Sequence, residues 1–316
     1  MAHRLEKDVN RLVETIMEDY EHGRDIDVVE NFVQPNKDDI VKIITQIQNM
    51  IFPGYYKNKN YRIYTVRNNL SMQLEDVLYN LSKQISIVLK YLPEYEEKDE
   101  KDLLCEAEQL SLQFLDKITK IRALIQTDLE AAFDGDPAAF NKPEIIFSYP
   151  GLYAIMVNRI AHELYLLGVP LIPRIMTEYA HSKTGIDIHP GATLGRYFFI
   201  DHGTGIVIGE TTEIGDNVKI YQGVTLGALS TREGQKLHGK KRHPTIEDTV
   251  TIYSGASILG GNTVIGHDSV IGGNAFITTS IPSNTRVSIK NQELEYKQGG
   301  ISATEIGQGE AWYYII

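Results

Sequence analysis

A single cysteine in 316 residues excludes an internal disulfide framework and any cysteine-based zinc cage. That thiol, Cys105, lies in an amphipathic stretch and is expected to be a buried small hydrophobe rather than a nucleophile. No apolar run approaches the length of a membrane span. The opening residues, MAHRLEKDVNRL, lack the apolar core of a secretory signal. The expected compartment is the cytoplasm, with no membrane association. Cations are also scarce: 31 Lys and Arg against 42 Asp and Glu leave a net charge of −11, which argues against nucleic acid as a partner. The apolar fraction, 42%, is enough for sizeable cores in more than one domain.

What is present is a rhythm. From Ile188 to Ile277 an aliphatic residue recurs at every sixth position over long stretches. Ile208, Ile214, Ile220 and Leu226 form one series, Ile246, Ile252 and Ile258 a second, and Ile265, Ile271 and Ile277 a third. Gly often follows, as in Ile208-Gly209 and Ile271-Gly272, and a small or β-branched residue often stands four places on. A strand repeats every two residues and an α-helix about every 3.6, so neither fits. A six-residue period fits a β-solenoid in which each hexad forms one side of a coil and its aliphatic residue points inward.

The breaks in phase carry information too. Ile200 to Ile208 is eight residues and Ile258 to Ile265 is seven, so the coils there carry small bulges. Leu226 to Ile246 is twenty, one hexad plus fourteen. The surplus within Gly227–Thr245 must leave the solenoid as a loop, since a linear stack admits insertions only at its corners. That loop holds Arg232, Lys236, Lys240, Lys241 and Arg242 with His238 and His243, a cationic patch in an acidic chain. Exposed loops on rigid scaffolds are where function concentrates.

Residues 1–185 read as a helical domain. Leu70 to Leu92 trace an amphipathic helix stopped by Pro93, and Leu103 to Ile125 trace a stripe in the segment near Asp102–Phe133. Leu152 to Leu167 trace another, entered at Pro150-Gly151 and left at Gly168. The acidic run Glu94–Asp102 is a solvated connection whose charges favour the start of the next helix. Residues 186–290 form the solenoid with its extruded loop 227–245, and residues 291–316 form a tail ending Trp312-Tyr-Tyr-Ile-Ile316. The tail either folds back on the solenoid or is a docking peptide whose terminal carboxylate a partner captures.

Four clusters suggest chemistry: Asp187-Ile-His189-Pro, Asp201-His202-Gly-Thr-Gly, Arg242-His243-Pro and Asp136-Pro137. Asp187 and His202 are fifteen residues apart, close to one coil. A carboxylate beside an imidazole fixes its tautomer and stabilises the cation formed when it takes a proton, so His202 is a candidate general base. For an isolated Asp/His pair an ordinary buried hydrogen bond is the better explanation. His189, His202, His243 and His267 could supply a zinc site, but no compact ligand spacing is present and no metal is expected.

The segment Asp187–Thr285, with DIHPGATLG, FFIDHGTGIVIGETTEIGDNVKIYQGVTLGA, KRHPTIEDTVTIYSGASILGG and VIGGNAF, resembles the bacterial and plant-type serine O-acetyltransferases. The helical domain with Asp136-Pro137 resembles theirs as well. The resemblance implies an all-helical N-terminal domain followed by a left-handed parallel β-helix of hexapeptide repeats, against the usual right-handed crossover rule. It implies homotrimers, often paired into hexamers as dimers of trimers, with active sites between neighbouring solenoids. The implied reaction moves acetyl from acetyl-CoA, a co-substrate, to the hydroxyl of L-serine; no permanently bound cofactor is implied. By motif position His202 matches the family's base and Asp187 its carboxylate partner. Arg242 and His243 match the residues around the serine carboxylate and hydroxyl, and Asp136 and Asp201 match those that receive its ammonium. Ala228, Ser254, Gly255 and Gly273 match positions that cradle acetyl-CoA. In this family the terminal Ile, here Ile316, commonly enters O-acetylserine sulfhydrylase. The chain departs from the family pattern at Gly227-Ala228, where Gly-Gly is usual, in its longer loop, and at Arg286–Asn291, which replaces the usual A-G-x-P-A segment. The rival readings are a hexapeptide acyltransferase for a sugar or drug hydroxyl and a non-catalytic solenoid scaffold. Asp136 and Arg242, one for each charge of an amino-acid zwitterion, weigh against the first, and the retained Asp187/His202 set weighs against the second.

Overall fold

The computed structural model describes residues 2–27, 34–56, 66–290, 296–298 and 301–303. The tail readings for Gly307–Ile316 lie outside the described residues. The chain divides into two compact units, Met1–Asn36 and Lys37–Ile316. The first contains helix α1 (Ala2–Tyr20).

In the second unit the helices are α2 (Lys37–Ile51), α3 (Val66–Leu89), α4 (Glu100–Leu115), α5 (Ile118–Gly135), α6 (Lys142–Ser148), α7 (Pro150–Leu166) and α8 (Ile172–Thr184). Their apolar stripes converge on one core that includes Ile43, Ile47, Leu81, Ile85, Phe114, Ile121 and Ile160. The acidic run before α4 does start that helix: the Asp99 carboxylate accepts the Asp102 N–H at 2.8 Å. The segment near Asp102–Phe133 is not one continuous helix but breaks at Asp116-Lys117 between α4 and α5. The expectation for Cys105 is corrected. It is exposed, because α4 turns Leu103, Ala107, Ser111 and Phe114 inward and Cys105 lies about 200° around the helix from Leu103.

Beyond α8 the hexads wind a left-handed parallel β-helix of about five turns. Strands β1 (Asp187–Ile188), β4 (Val207–Ile208), β7 (Thr225–Gly227), β10 (Ser257–Leu259) and β13 (Phe276–Ile277) stack as the first face. The second face holds β2 (Thr193–Leu194), β5 (Glu213–Ile214), β8 (Thr245–Ile246) and β11 (Val264–Ile265). The third holds β3 (Phe199–Asp201), β6 (Lys219–Tyr221), β9 (Thr251–Ile252), β12 (Val270–Ile271) and β14 (Arg286–Val287). The departing segment Arg286–Asn291 thus begins as a last rung of the third face, with Arg286 opposite Val270. A short antiparallel pair, Tyr296–Gln298 with Ile301–Ala303, follows.

The register explains each break in the hexads. Asp187 pairs with Val207, Val207 with Thr225, Glu213 with Thr245 and Thr245 with Val264. Coils therefore advance by a basic eighteen residues, with two extra between β3 and β4, fourteen between β7 and β8, and one between β10 and β11, while the last advance, Val270 to Arg286, is sixteen. Inward Ile188, Ile208, Leu226, Ile258 and Ile277 stack up the first face, and the other faces do likewise. Each such side chain contributes roughly 1.5–3 kcal/mol by leaving water.

The first coil is fastened to the helices by one buried ion pair. Arg159 on α7 donates to both oxygens of Asp128 on α5 at 2.7 and 2.8 Å, and also to the carbonyls of Leu194 and Gly195 at 3.1 and 2.7 Å. Asp128 in turn accepts the Phe198 N–H at 3.1 Å. Each guanidinium nitrogen and both carboxylate oxygens are engaged, as a buried pair requires.

Candidate active site

The two-residue excess after β3 is the Asp201-His202-Gly-Thr-Gly turn, so the bulge is the device that displays His202. His202 has φ 56°, in the left-handed region, and its side chain is about half exposed. Histidine is one of the non-glycine residues that adopt this region more readily, and Tyr197, Asn217, Thr249, Asp268, Asn274 and Asn284 adopt it at other corners of the solenoid. Gly205, Gly223 and Gly255 continue the same corner upward, each approached within 3.6 Å by the next at the Cβ position it lacks, except that Gly255 faces Asn274. Ser254, Gly255 and Gly273 therefore share one edge with His202. The Asn274 N–H, next to Gly273, donates to the Ser254 carbonyl at 2.9 Å.

Asp136 joins this edge from the helical side. It ends α5 directly after Gly135, where a Cβ would fall 2.7 Å from the Phe199 ring. Its Oδ1 accepts the Ala138 N–H at 2.8 Å, and its Oδ2 accepts the Tyr149 hydroxyl. The Tyr149 bond, with help from Ala138, Lys219 and His202, holds the Asp136 carboxyl below its ordinary range. Burial and the Asp136 charge push the Tyr149 hydroxyl far up, so it remains a donor. Asp201, at the end of β3, has Lys219 Nζ 3.7 Å from Oδ2 and His202 Nε2 3.9 Å from Oδ1.

The other predicted residues gather at the opposite edge of the first face. Arg242 and His243, at the loop's exit, are pinned by Thr211, whose Oγ1 accepts both their N–H groups at 2.9 and 3.0 Å. The Thr211 N–H donates to His243 Nδ1 at 3.0 Å. That donor requires Nδ1 to be the acceptor, so neutral His243 carries its proton on Nε2. Burial first, and the Arg242 charge next, push the His243 imidazole down to about 4. At neutral pH it is an uncharged Nε2–H donor, unsuited to act as a cationic acid. Gly209 is obligatory here because any Cβ would penetrate the His243 ring. Arg242 pairs with Glu210, which also accepts the Tyr165 hydroxyl at 3.1 Å. Ala228, directly after β7, lies on this edge. So does the one-residue bulge, where a Cβ on Gly261 would approach Arg242 Cα to 2.9 Å.

Asp187 sits on β1 between the two edges. Arg174 Nη1 lies 3.7 Å from its carboxylate, and among the described residues no hydrogen bond joins it to His202. Glu178, His181 and Asp187 bring ligand atoms within 4.8 Å of one another, the one such metal-sized group among the described residues. Arg174 already pairs with both carboxylates there.

Within one chain, then, Asp136, Asp201 and His202 are brought together, and Arg242 and His243 are brought together, but the two sets are separate. One side of the coil, the five steps from Gly205 to Glu210 with β4 at its centre, lies between the edges, at most about 16 Å at the rise of a strand. Sequence reasoning missed Tyr149, Lys219 and Thr211. Glu210, Thr211 and Lys219 stand inside the quoted FFIDHGTGIVIGETTEIGDNVKIYQGVTLGA stretch, where sequence reasoning gave them no role, and Tyr149 stands outside every quoted motif.

No family model matches the chain. It is 42% identical over 276 residues to a serine acetyltransferase of Synechococcus elongatus, covering 84% of this chain and 86% of that one. It is 49% identical over 136 residues to the Bacillus subtilis serine acetyltransferase, covering 43% of this chain and 60% of the relative. Among solved structures, it is similar to Entamoeba histolytica serine acetyltransferase isoform 3 in complex with cysteine. That match has TM-score 0.69 and 38% identity, over 81% of this chain and 84% of the other. It is also similar to Neisseria gonorrhoeae serine acetyltransferase in complex with serine, at TM-score 0.52 and 29% identity, over 78% and 95%.

Proposed function

The chain belongs to the serine acetyltransferase family, and from that premise we propose that it transfers acetyl from acetyl-CoA to the hydroxyl of L-serine at a site shared between two copies. The separation of the two residue sets carries the second half of this reading. A serine cannot span about 16 Å, so the edge with Asp136, Asp201 and His202 must face the edge with Arg242 and His243 of a neighbour. A contact between two different edges is heterologous and gives a closed ring where the rotation permits. The trimer, or a hexamer of paired trimers, is the assembly that the family resemblance implies.

In this reading Asp136 and Asp201 receive the ammonium and Arg242 receives the carboxylate, so both charges of the zwitterion are met. A serine hydroxyl is barely acidic, and His202 removes its proton as the oxygen attacks the thioester carbonyl. Asp187 steadies the imidazolium that results. The oxyanion is met by preorganised donors, a backbone N–H near Ala228 and the Nε2–H of neutral His243. Collapse of the tetrahedral intermediate expels the CoA thiolate, which leaves with the proton held by His202. No cysteine accompanies the site residues, so transfer is direct. Ser254, Gly255 and Gly273 line the acetyl-CoA side of the edge. The compartment proposed is the cytoplasm, and among the described residues no helix is long and apolar enough to cross a membrane. Docking of Ile316 into O-acetylserine sulfhydrylase belongs to the same proposal.

The test is release of free thiol from acetyl-CoA with L-serine, ethanolamine or 3-hydroxypropionate. Each analogue leaves one charge of the site unmet, at a cost of several kcal/mol, so L-serine is expected to exceed both by at least about a hundredfold in kcat/KM. Cysteine, which differs from serine by one atom, is expected to compete. Comparable rates for all three hydroxyl compounds would point instead to a generic hydroxyl acyltransferase.

A further inference from the structure

The outer surface of the third face carries a group that the reaction above leaves unused. Lys219 and Tyr221 point outward from β6 while Ile220 points into the core, as the two-residue alternation of a strand requires. On the preceding rung Phe199 lies opposite Lys219 and Asp201 opposite Tyr221. The Lys219 ammonium lies 4.8 Å from the centroids of both the Phe199 and Tyr221 rings, and Tyr221 stacks on Tyr253 at 5.0 Å. The same ammonium donates to the Gly135 carbonyl at 2.7 Å and stands 3.7 Å from Asp201 Oδ2. The side chain is only 22% exposed. Lys219 thus touches Asp201 and also the residue that precedes Asp136, the two carboxylates assigned to the substrate ammonium.

Two carboxylates are one too many for a single ammonium. Asp136 and Asp201 together carry two negative charges, and a bound serine ammonium returns only one. An unmatched charge in a partly buried pocket is costly, and two neighbouring carboxylates without a cation resist joint ionisation. Lys219 supplies the missing positive charge from a fixed position, braced by two aromatic faces and a carbonyl.

We propose that Lys219 is a positioning residue of the ammonium subsite: it is the resident counter-ion of Asp201 and ties the end of α5 to the solenoid, so that the incoming amine finds Asp136 in place and the pocket becomes neutral on binding. This rests on the serine acetyltransferase reading given above. The charged and titratable groups facing the carboxylates are Tyr149 and Glu144 from the helical side, and His202 and Lys219 from the solenoid. Of these only Lys219 is a permanent cation at neutral pH.

The test compares wild type with Lys219→Met, which keeps the stem and its ring contacts but not the charge, and with Lys219→Arg, which keeps the charge. KM for serine is expected to rise at least about tenfold in Lys219→Met, the loss of one charge-assisted interaction, with kcat and the KM for acetyl-CoA little changed. The acid limb of kcat/KM for serine is expected to move to higher pH, since Asp136 loses one of the positive charges that help hold it ionised. Lys219→Arg is expected to restore the acid limb. An unchanged serine KM and acid limb in a folded Lys219→Met would overturn the proposal. Equal loss of melting temperature in both variants with no movement of the pH profile would also overturn it, leaving a structural role. Calorimetric titration of serine into the same three proteins separates this test from that of the reaction. A wild type that binds serine without acetylating it removes the proposed reaction and leaves the Lys219 comparison intact. A wild type that does neither removes both.

Discussion

Acidification should unfold this protein through one imidazole more than through any other resolved here. His243 is 7% exposed and receives the Thr211 N–H at Nδ1, so the folded chain refuses a second proton on that ring until about pH 4, against an ordinary value of 6.5. An unfolded chain takes that proton at 6.5. Between the two values the unfolded state binds more protons, and stability must fall as pH falls. Above 6.5 both states are neutral and the full stability is present. Below about 4 both are protonated and the loss is complete. A tenfold difference in proton affinity is worth about 1.4 kcal/mol, so the span amounts to about 3 kcal/mol per chain. The assay is urea unfolding at one fixed chain concentration, repeated from pH 8 to pH 4, for wild type and His243→Asn. Asparagine places an oxygen near the Nδ1 position, where it can still accept the Thr211 N–H, and it does not titrate. The variant is expected to start less stable, having lost part of the ring, and to lose about 3 kcal/mol less than wild type over this range. His189, whose imidazole burial also holds below its ordinary value, is present in both proteins and cancels in the comparison. Parallel pH profiles for the two would refute both the assigned tautomer and the neutral-donor role that rests on it.

His202→Ala should lower turnover by roughly 10²–10⁴ with the melting temperature retained, because the turn that displays His202 is exposed and the loss is that of a general base; near-normal turnover would remove it from the mechanism. Arg159→Met should cost about 3–5 kcal/mol in denaturant unfolding, since Asp128 stays buried without its partner. The double variant with Asp128→Leu should recover part of that loss, and a double variant as unstable as the single would show that the carbonyl contacts to Leu194 and Gly195 matter more than the charge pair.

Much of the fold was legible because its period is unlike that of any helix or flat strand. The offsets among Ile200, Ile208, Leu226, Ile246, Ile258 and Ile265 forecast where coils lengthen, and the strand register repeats those offsets. A solenoid converts sequence separation almost directly into height, which is why the spacing of Asp187 and His202 could be read as about one coil. Other features depend on contacts that have no period. Tyr149 reaches Asp136 only because α6 and α7 meet at that corner, and nothing around Tyr149-Pro150 announces it. Lys219 reads as an ordinary outward residue of a hexad until Gly135 is brought beside it. Cys105 was misjudged because Leu103 to Phe114 were read as a stripe without asking which angular positions the stripe left outside. Hexad spacing places residues in height but says little about which edge they share, so the gap between the two half-sites emerged only from the structure.

The buried Arg159–Asp128 clamp bears on the order in which the molecule is assembled. Each coil of the solenoid offers its backbone donors and acceptors to the next, so a coil without a neighbour presents raw strand edges of the kind that recruit other chains. At the first coil those edges are closed by helices: α7 and α8 pack against β1, and α5 and α7 against β3. The guanidinium satisfies carbonyls at β2 that no earlier rung could reach. The helical core therefore covers the open side of the first rung, and every later rung is held only by its neighbours in the stack. The covered end of the stack is also the end that a ribosome releases first. A nascent chain halted midway through the hexads would be a shorter stack with one open edge, already seated on a finished base.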